Sequence, residues 1–312
     1  MRQIERMFFI LMALSLVAVL LLSGCAPKEV APTVEKPREV LYQVAADISG
    51  PYGATMATIP LAIEDVTNYI NEQGGIDGVP VKWDLFDTTN SREACMSWYM
   101  RVREKKPAFF LLGQISDSEM LIERAAEDKI LMTSFSASDR VLWPPSYYQC
   151  TYMDAADLTG YIMDYVSASW KKEGEARKCR IAMLGGDAPF GRSHWTPALE
   201  AYIKEKGNLE VVDIEWCDPR GTDFSTELAR IMGHKPDWIF TSNVYGAFAV
   251  TLKGAATMGI LDEVKFATPM WNMDRAIARL CGAEVTKGVV GPVATLVWGD
   301  GTPGMKVIEQ VF

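Results

Sequence analysis

From residue 40 onward, short apolar runs alternate with longer stretches whose apolar residues recur every three or four positions. Short apolar runs are typical of buried strands, and the longer spacing is typical of helices that bury one face. Residues 109–112 form an uninterrupted apolar run, as expected for a parallel strand that is covered on both faces. The alternation therefore predicts strand–helix–strand units, which are typical of an α/β fold with parallel sheets.

Turn-forming residues mark the ends of the predicted elements. The spacing of Asn90 with Glu93 and of Ser116 with Glu119 is that of a capping box, so we expect helices to begin there. The predicted strands are residues 40–46, 79–86, 109–112, 130–133, 180–184, 210–215, 238–241 and 264–267. The predicted helices are residues 59–73, 90–103, 116–128, 155–171, 196–206, 224–232, 247–258 and 275–280.

The alternation of predicted strands and helices is interrupted at residues 143–145 and then resumes, which predicts two lobes. We assign residues 40–153 to the first lobe, residues 154–285 to the second lobe, and residues 286–312 to a crossover back towards the first lobe. A length of 312 residues suits this two-lobe organisation. We detect no sequence repeat, so we expect the lobes to share an architecture only.

The first 24 residues have the pattern of a lipoprotein signal peptide. Arg2 and Arg6 precede residues 7–22, which carry no charge and are too few for a typical membrane span. The sequence Leu-Ser-Gly-Cys at residues 22–25 resembles a lipobox, so we expect Cys25 to be lipidated after cleavage. The alternative is an uncleaved N-terminal anchor. The proline-containing residues 25–39 then form a tether.

The composition excludes several classes of function. The chain has 31 Lys and Arg against 40 Asp and Glu, and this acidic balance argues against a partner such as nucleic acid. Its two histidines, His194 and His234, are far apart, so we expect no metal site and no cofactor. The cysteines form no C-x-x-C pair, and we expect them to be buried without an obligatory disulfide.

Enzyme signatures are absent from the sequence. It contains no H-E-x-x-H, G-x-S-x-G or P-loop motif. Ser193 and His194 are adjacent, but neighbouring residues in a turn rarely point at each other, and we interpret His194 as a solvated loop residue. We therefore predict a protein without catalytic residues.

Polar residues cluster where the predicted strands end, which is the ligand-binding edge of an open parallel sheet. In the first lobe, Ser118, Ser136 and Ser138 form a patch of hydroxyl donors that suits an anionic group such as a carboxylate. Ser116 either caps its helix or binds the ligand. Tyr52 in the first lobe and Tyr245 in the second lobe either pack internally or face the cleft.

Several motifs appear in the order found in one receptor family. They are Ser-Gly-Pro at residues 49–51, Gly-Gly-Ile-Asp-Gly at 74–78, the segment 113–118, Phe-Gly-Arg at 190–192, the segment 221–225 and Pro-Asp-Trp-Ile-Phe at 236–240. From about residue 40 to its end, the chain resembles the branched-chain amino acid (leucine/isoleucine/valine) binding-protein family of ABC transporters. The Gly-Gly-Ile-Asp-Gly block is the most specific of these motifs.

The resemblance implies a type I periplasmic-binding-protein fold, in which hinge strands join two Rossmann-like lobes that close over a ligand. It also implies an extracytoplasmic, membrane-anchored lipoprotein that delivers an amino acid or a related carboxylate to an ABC permease. Family ligand contacts would fall on Ser116 or Ser118, on Ser136 and Ser138, and on Phe190, Tyr245 and the region of Trp271 to Asp274. The family usually continues beyond residue 312, so the crossover is expected to be truncated.

Two departures from the family bear on the ligand. Amino-acid binders place an acidic residue against the ligand ammonium, whereas residues 270–274 read Met-Trp-Asn-Met-Asp with no fixed register. Phe190 stands where a tyrosine is common, which removes a hydroxyl group. Two other functions stay open at this point: a ligand-sensing receptor of the same fold, and an exported α/β hydrolase.

Overall fold

The computed structural model describes residues 38–174, 176–293 and 298–311. The predicted signal peptide, the lipidation site Cys25 and the tether up to residue 37 lie outside the described residues. Within the described part, no helix combines the length and the apolar character that a membrane span requires.

The first lobe contains a five-stranded parallel sheet whose strand order is β2-β1-β3-β4-β5. Its strands are β1 (Val40–Ala46), β2 (Val81–Asp87), β3 (Phe109–Leu112), β4 (Leu131–Ser134) and β5 (Tyr148–Cys150). The helices between them are α1 (Gly53–Met56), α2 (Ile59–Glu72), α3 (Arg92–Val102), α4 (Ile115–Asp128) and α5 (Asp139–Leu142), and a 3₁₀ turn spans Arg103–Lys105.

The second lobe contains a four-stranded parallel sheet whose strand order is β7-β6-β8-β9. Its strands are β6 (Cys179–Gly186), β7 (Leu209–Cys217), β8 (Trp238–Thr241) and β9 (Lys265–Ala267). The remaining helices are α6 (Ala155–Glu173), α7 (Pro189–Ser193), α8 (Pro197–Glu205), α9 (Ser225–Gly233), α10 (Tyr245–Met258), α11 (Arg275–Cys281), α12 (Ala283–Thr286) and α13 (Pro303–Val311), with a 3₁₀ turn at Met270–Asn272.

Each lobe has its own hydrophobic core. The first-lobe core surrounds Tyr99 and Phe110, whereas one face of the second sheet packs around Phe240 and the other around Phe248. None of these clusters joins first-lobe to second-lobe residues within the described part of the chain. Helix α13 lies against α2 of the first lobe.

The predicted alternation of strands and helices is confirmed, but two helix starts were wrong. Helix α3 is capped by Ser91, whose Oγ accepts a hydrogen bond from Ala94 N at 3.2 Å, because Asn90 adopts a left-handed backbone with φ of 59°. Helix α4 begins at Ile115, since the extended backbone leaving β3 ends at Gln114. Ser116 therefore lies inside the first turn and is not the helix cap.

The interpretation of His194 as a solvated loop residue was also wrong. Its side chain is only 1% exposed, because α7 turns the imidazole under Phe190 and towards Phe240. The Nδ1 atom lies 3.0 Å from the hydroxyl of Thr159 on α6. Burial lowers the pKa of His194 to about 3, so the imidazole is neutral at physiological pH.

The cysteines of the described part are unpaired and mostly buried. Burial raises the pKa of Cys179 to about 12 and that of Cys217 to about 11, which keeps both thiols protonated. Groups of His, Cys, Asp and Glu with the arrangement of a metal site do not occur within the described residues.

Candidate functional site

A cavity of about 170 Å³ lies between the two lobes, where loops from the carboxyl ends of both sheets meet. This first chamber has predominantly apolar walls, with polar groups concentrated on its first-lobe side. Its lining residues are Tyr52, Thr55, Met56, Asn90, Arg92, Gly113, Gln114, Ile115, Ser116, Ser136, Ala188, Pro189, Phe190, Val244 and Trp271.

A second chamber of about 390 Å³ adjoins the first and shares Tyr52, Thr55, Ala188, Phe190 and Val244 with it. The remainder of its lining comes mostly from second-lobe loops, including Gly186, Gly191, Pro219, Arg220, Gly221, Thr222, Ser242, Asn243, Tyr245, Gly246, Ala247 and Val250. Because shared residues line both chambers, we treat them as one interlobe cleft.

The loop after β1 is held by a buried carboxylate that positions Tyr52. Asp47 is fully buried, and its two oxygens accept hydrogen bonds from Gly50 N at 2.6 Å and from Tyr52 N at 2.8 Å. A Cβ atom at residue 50 would lie 2.3 Å from Asp47 Oδ1, so this close approach requires glycine. The Ser-Gly-Pro motif therefore fixes a loop that presents Tyr52 to the cleft.

Helix α4 points its N-terminus at the first chamber. Ile115 and Ser116, the first two residues of the helix, both line the chamber. The first backbone N–H groups of a helix have no intrahelical partner, and the helix dipole makes this end attractive to an anion. The first turn of α4 therefore offers donors to a negatively charged ligand group.

Ser118 and Ser138 do not line either chamber. Ser118 is fully buried, donates to Gln114 O at 3.2 Å and accepts from the Tyr148 hydroxyl at 3.2 Å. Ser138 donates to Glu119 Oε1 at 2.7 Å. Of the hydroxyl residues predicted from the first lobe, the structure brings Ser116 and Ser136 together on the first chamber.

Two buried hydroxyl groups that line the cleft lack a hydrogen-bond partner among the described residues. Ser242 is 1% exposed and lines the second chamber. The buried Oγ1 of Thr55 lies between the chambers. A buried hydroxyl without a partner costs roughly 1–3 kcal/mol, so these groups are suited to bind a ligand or water.

On the second-lobe side, a tight turn presents Phe190 to both chambers. A Cβ atom at residue 191 would lie 2.0 Å from Gly186 O, so helix α7 can form only with glycine there. The ring of Phe190 then packs edge-to-face on the buried imidazole of His194, with centroids 4.9 Å apart. His194 therefore supports a wall of the cleft from behind.

Tyr245 and Trp271 occupy different chambers. Tyr245 opens α10 with a φ of 43°, and Asn272 Oδ1 accepts a hydrogen bond from its backbone N at 2.8 Å. Its ring lines only the second chamber, and its hydroxyl donates to Asp274. Burial and the nearby Asp274 carboxylate raise the pKa of Tyr245. Trp271 lines the first chamber and packs edge-on against Tyr152.

Arg92 is the one charged side chain among the described residues that line the first chamber. It begins helix α3, directly beyond the carboxyl end of β2. The sequence reasoning missed Arg92 because it considered only hydroxyl, amide and aromatic residues at strand ends. The signal was available, since Arg92 follows a strand end just as Ser116 does.

A buried carboxyl group lies behind this wall. Asp117 is 2% exposed. The side-chain amide of Gln114 donates a hydrogen bond to Asp117 Oδ2 at 3.0 Å and accepts one from Asp47 N at 2.8 Å. Burial raises the pKa of Asp117 to about 7, although a hydrogen bond from Cys95 and the charge of Arg92 oppose the shift. The wall therefore contains a group that changes its charge near neutral pH.

Two α/β lobes, with a cleft between them that carries polar groups on its first-lobe side, define a two-lobe ligand-binding protein. The chain belongs to the periplasmic binding protein family, because the family model described as "Periplasmic binding protein" matches residues 44–311. A comparison with curated protein sequences finds no match.

Solved structures with the same fold include proteins that differ in their ligands. A branched-chain amino acid ABC transporter protein from Thermus thermophilus with bound valine has a TM-score of 0.78 and 18% identity, over 88% of this chain and 69% of that chain. A fatty acid ABC transporter substrate-binding protein from Thermomonospora curvata has a TM-score of 0.74 and 15% identity, over 88% of this chain and 69% of that chain.

A third structure is the solute-binding protein of an ABC transporter from Rhodopseudomonas palustris BisB5 in complex with 3,4-dihydroxybenzoic acid. It has a TM-score of 0.63 and 20% identity, over 76% of this chain and 64% of that chain. These structural likenesses, together with the family match, confirm the predicted type I binding-protein fold.

Proposed function

We propose that this protein is the extracytoplasmic solute receptor of an ABC importer and binds a small carboxylate-bearing molecule in the first chamber. The observation that carries the proposal is the composition of that chamber: the first lobe contributes the N-terminus of α4, the guanidinium of Arg92 and the hydroxyl residue Ser136, and aromatic side chains contribute much of the remaining wall. The similar structures support it, since valine, fatty acids and 3,4-dihydroxybenzoic acid are all carboxylic acids.

In this proposal the site residues have distinct roles. Ser116, Ser136 and Arg92 bind the carboxylate, and Tyr52, Phe190 and Trp271 pack against the rest of the ligand. Ser118 supports Gln114 from behind, and Ser138 positions its loop through Glu119. Tyr245 contributes from the second chamber. Catalysis is not part of the proposed function, because Ser193 donates to Phe190 O while His194 faces Thr159, so the two do not form a nucleophile–base pair.

We expect a ligand to stabilise the protein and to close its lobes. Receptors of this architecture bind ligand between two lobes, so binding should raise the melting temperature and reduce the radius of gyration. A thermal-shift screen with carboxylic acids, amino acids and amides, followed by solution scattering with each hit, measures both effects. A hit that binds tightly but leaves the scattering curve unchanged would contradict lobe closure.

We further propose that Cys25 anchors the receptor to the membrane through a lipid. Cys25→Ala is expected to leave the protein unprocessed or released into the soluble fraction, while the folded lobes keep their ligand-induced stabilisation. Fractionation combined with mass spectrometry of the mature N-terminus measures this outcome, and Cys150→Ala serves as the control that should stay anchored. A wild-type mature protein that carries no lipid would refute the proposal.

A further inference from the structure

We infer that the ligand is a carboxylic acid without an ammonium group, one whose side group is aromatic or branched and apolar. The inference rests on the proposed function, because it specifies which carboxylate the first chamber accepts. Three properties of the cleft support it: the charges of its lining, the carboxylates behind its walls, and the apolar surface of the first chamber.

The lining of the cleft carries positive charge and, among the described residues, no acidic side chain. Its charged members are Arg92 in the first chamber and Arg220 in the second. Arg220 is paired with Asp218 at 3.0 Å. Arg92 forms no ion pair with any residue of the described part. The first chamber therefore presents a guanidinium that is available to a ligand carboxylate. A charge-assisted pair of this kind favours the binding of a ligand that carries a carboxylate.

The carboxylates that lie just behind the cleft are engaged elsewhere. Asp47 accepts hydrogen bonds from the loop that it holds, and it is fully buried. Asp117 is buried against Cys95 and Gln114. Asp274 caps α11 by accepting from Ala276 N at 2.7 Å, and its other oxygen accepts from Tyr245. None of these three carboxylates lines either chamber.

An amino acid would therefore place its ammonium group in this cleft without a counter-charge. Removing an ammonium from water costs several kcal/mol unless an anion compensates it. Hydroxyl and amide oxygens of the lining can accept hydrogen bonds, but they do not neutralise the charge. The guanidinium of Arg92 adds repulsion, because it carries the same sign. The cleft therefore discriminates against amino acids relative to the corresponding acids.

The rest of the first chamber determines the side group. Tyr52, Phe190 and Trp271 contribute aromatic surface, and Met56 and Val244 contribute aliphatic surface. Burying an apolar side group against these walls is favourable, roughly in proportion to the area removed from water. A chamber of about 170 Å³ suits a branched or aromatic group of modest size.

Titration calorimetry with matched pairs of compounds tests the inference. The pairs are 4-methyl-2-oxopentanoate with leucine and phenylpyruvate with phenylalanine, which have the same side groups but differ in whether they carry an ammonium. We expect the acid to bind at least tenfold more tightly than the amino acid in at least one pair. A preference for the acid of less than tenfold in both pairs would overturn the inference and leave the proposed function standing.

Arg92→Gln tests the charge that selects the acid. We expect this variant to bind the preferred acid at least tenfold more weakly, whereas Arg101→Gln, an exposed position on the same helix, should bind it normally. A melting temperature close to that of the wild type shows that the variant is folded. Unchanged affinity in a folded Arg92→Gln protein would contradict the role of Arg92. If no acid, amino acid or amide stabilises the protein, the proposed function fails as well.

Discussion

Asp117→Asn is expected to remove a contribution of the Asp117 carboxyl group that lowers the free energy of unfolding as the pH rises from about 4 to about 7. The carboxyl group is almost fully buried, and burial raises its pKa from 3.8 to about 7 in the folded state. Between these two values the folded protein holds a proton that the unfolded chain has released. The contribution of Asp117 to stability therefore falls with rising pH in this window, and stability is independent of this group above it.

The expected size of this effect is large for a single side chain. Between pH 5 and pH 8, ionisation of Asp117 should cost the wild type about 3 kcal/mol relative to the Asn variant, since one pKa unit corresponds to about 1.4 kcal/mol. Urea unfolding at several pH values measures the difference. Glu123→Gln, an exposed position on α4, is the matched control and should retain the wild-type profile. Parallel profiles for Asp117→Asn and the wild type would show that the carboxyl group does not titrate in this range.

His194→Gln is expected to change the pH dependence in the opposite direction. Burial lowers the pKa of His194 from 6.5 to about 3 in the folded state. Below pH 6.5 the unfolded chain takes up a proton that the folded protein does not bind, so the contribution of His194 to stability falls as the pH falls towards 3. Between pH 6.5 and pH 5 the imidazole should cost about 2 kcal/mol, and this slope should be absent from the variant.

The same unfolding experiments measure the His194 effect. His234→Gln removes the other histidine, which is exposed, and should retain the wild-type profile because the buried imidazole is still present. Parallel profiles for His194→Gln and the wild type would mean that the imidazole does not contribute to the pH dependence. Between pH 5 and pH 6.5 the contributions of Asp117 and His194 have opposite signs, so they should nearly cancel in the wild type. Each single variant should therefore reveal the slope that the other group produces.

Much of the fold could be predicted from the sequence, because strands buried on both faces are apolar and helices have a different period. Strand β5 and the helices α1, α5, α7, α12 and α13 were not predicted, and two of these elements show the physical reason. Strand β5, Tyr148–Cys150, has three residues and no apolar run. Helix α7, Pro189–Ser193, depends on the close approach of Gly191 to Gly186, which is a tertiary contact with no local pattern.

The segments of the candidate site could also be predicted, but the sequence did not decide which hydroxyl residues within a segment face the cleft. Ser116 and Ser118 are two residues apart on α4, and two residues correspond to about 200° around a helix. One therefore lines the first chamber when the other is buried beneath it. Deciding between them required the true start of the helix, and the capping-box prediction had misplaced it. The missing partners of Thr55 and Ser242 are likewise visible only in three dimensions.

The separation of the hydrophobic cores has a consequence for how the protein unfolds. Since no core cluster spans both lobes in the described part of the chain, each lobe gains its cooperativity from its own interior. Without a ligand, calorimetry should resolve two overlapping melting transitions instead of one. A ligand that contacts both lobes adds interactions that neither lobe has alone, and it should merge the two transitions into a single sharper one. The width of the melting transition in calorimetry would then show how evenly a bound compound contacts the two lobes.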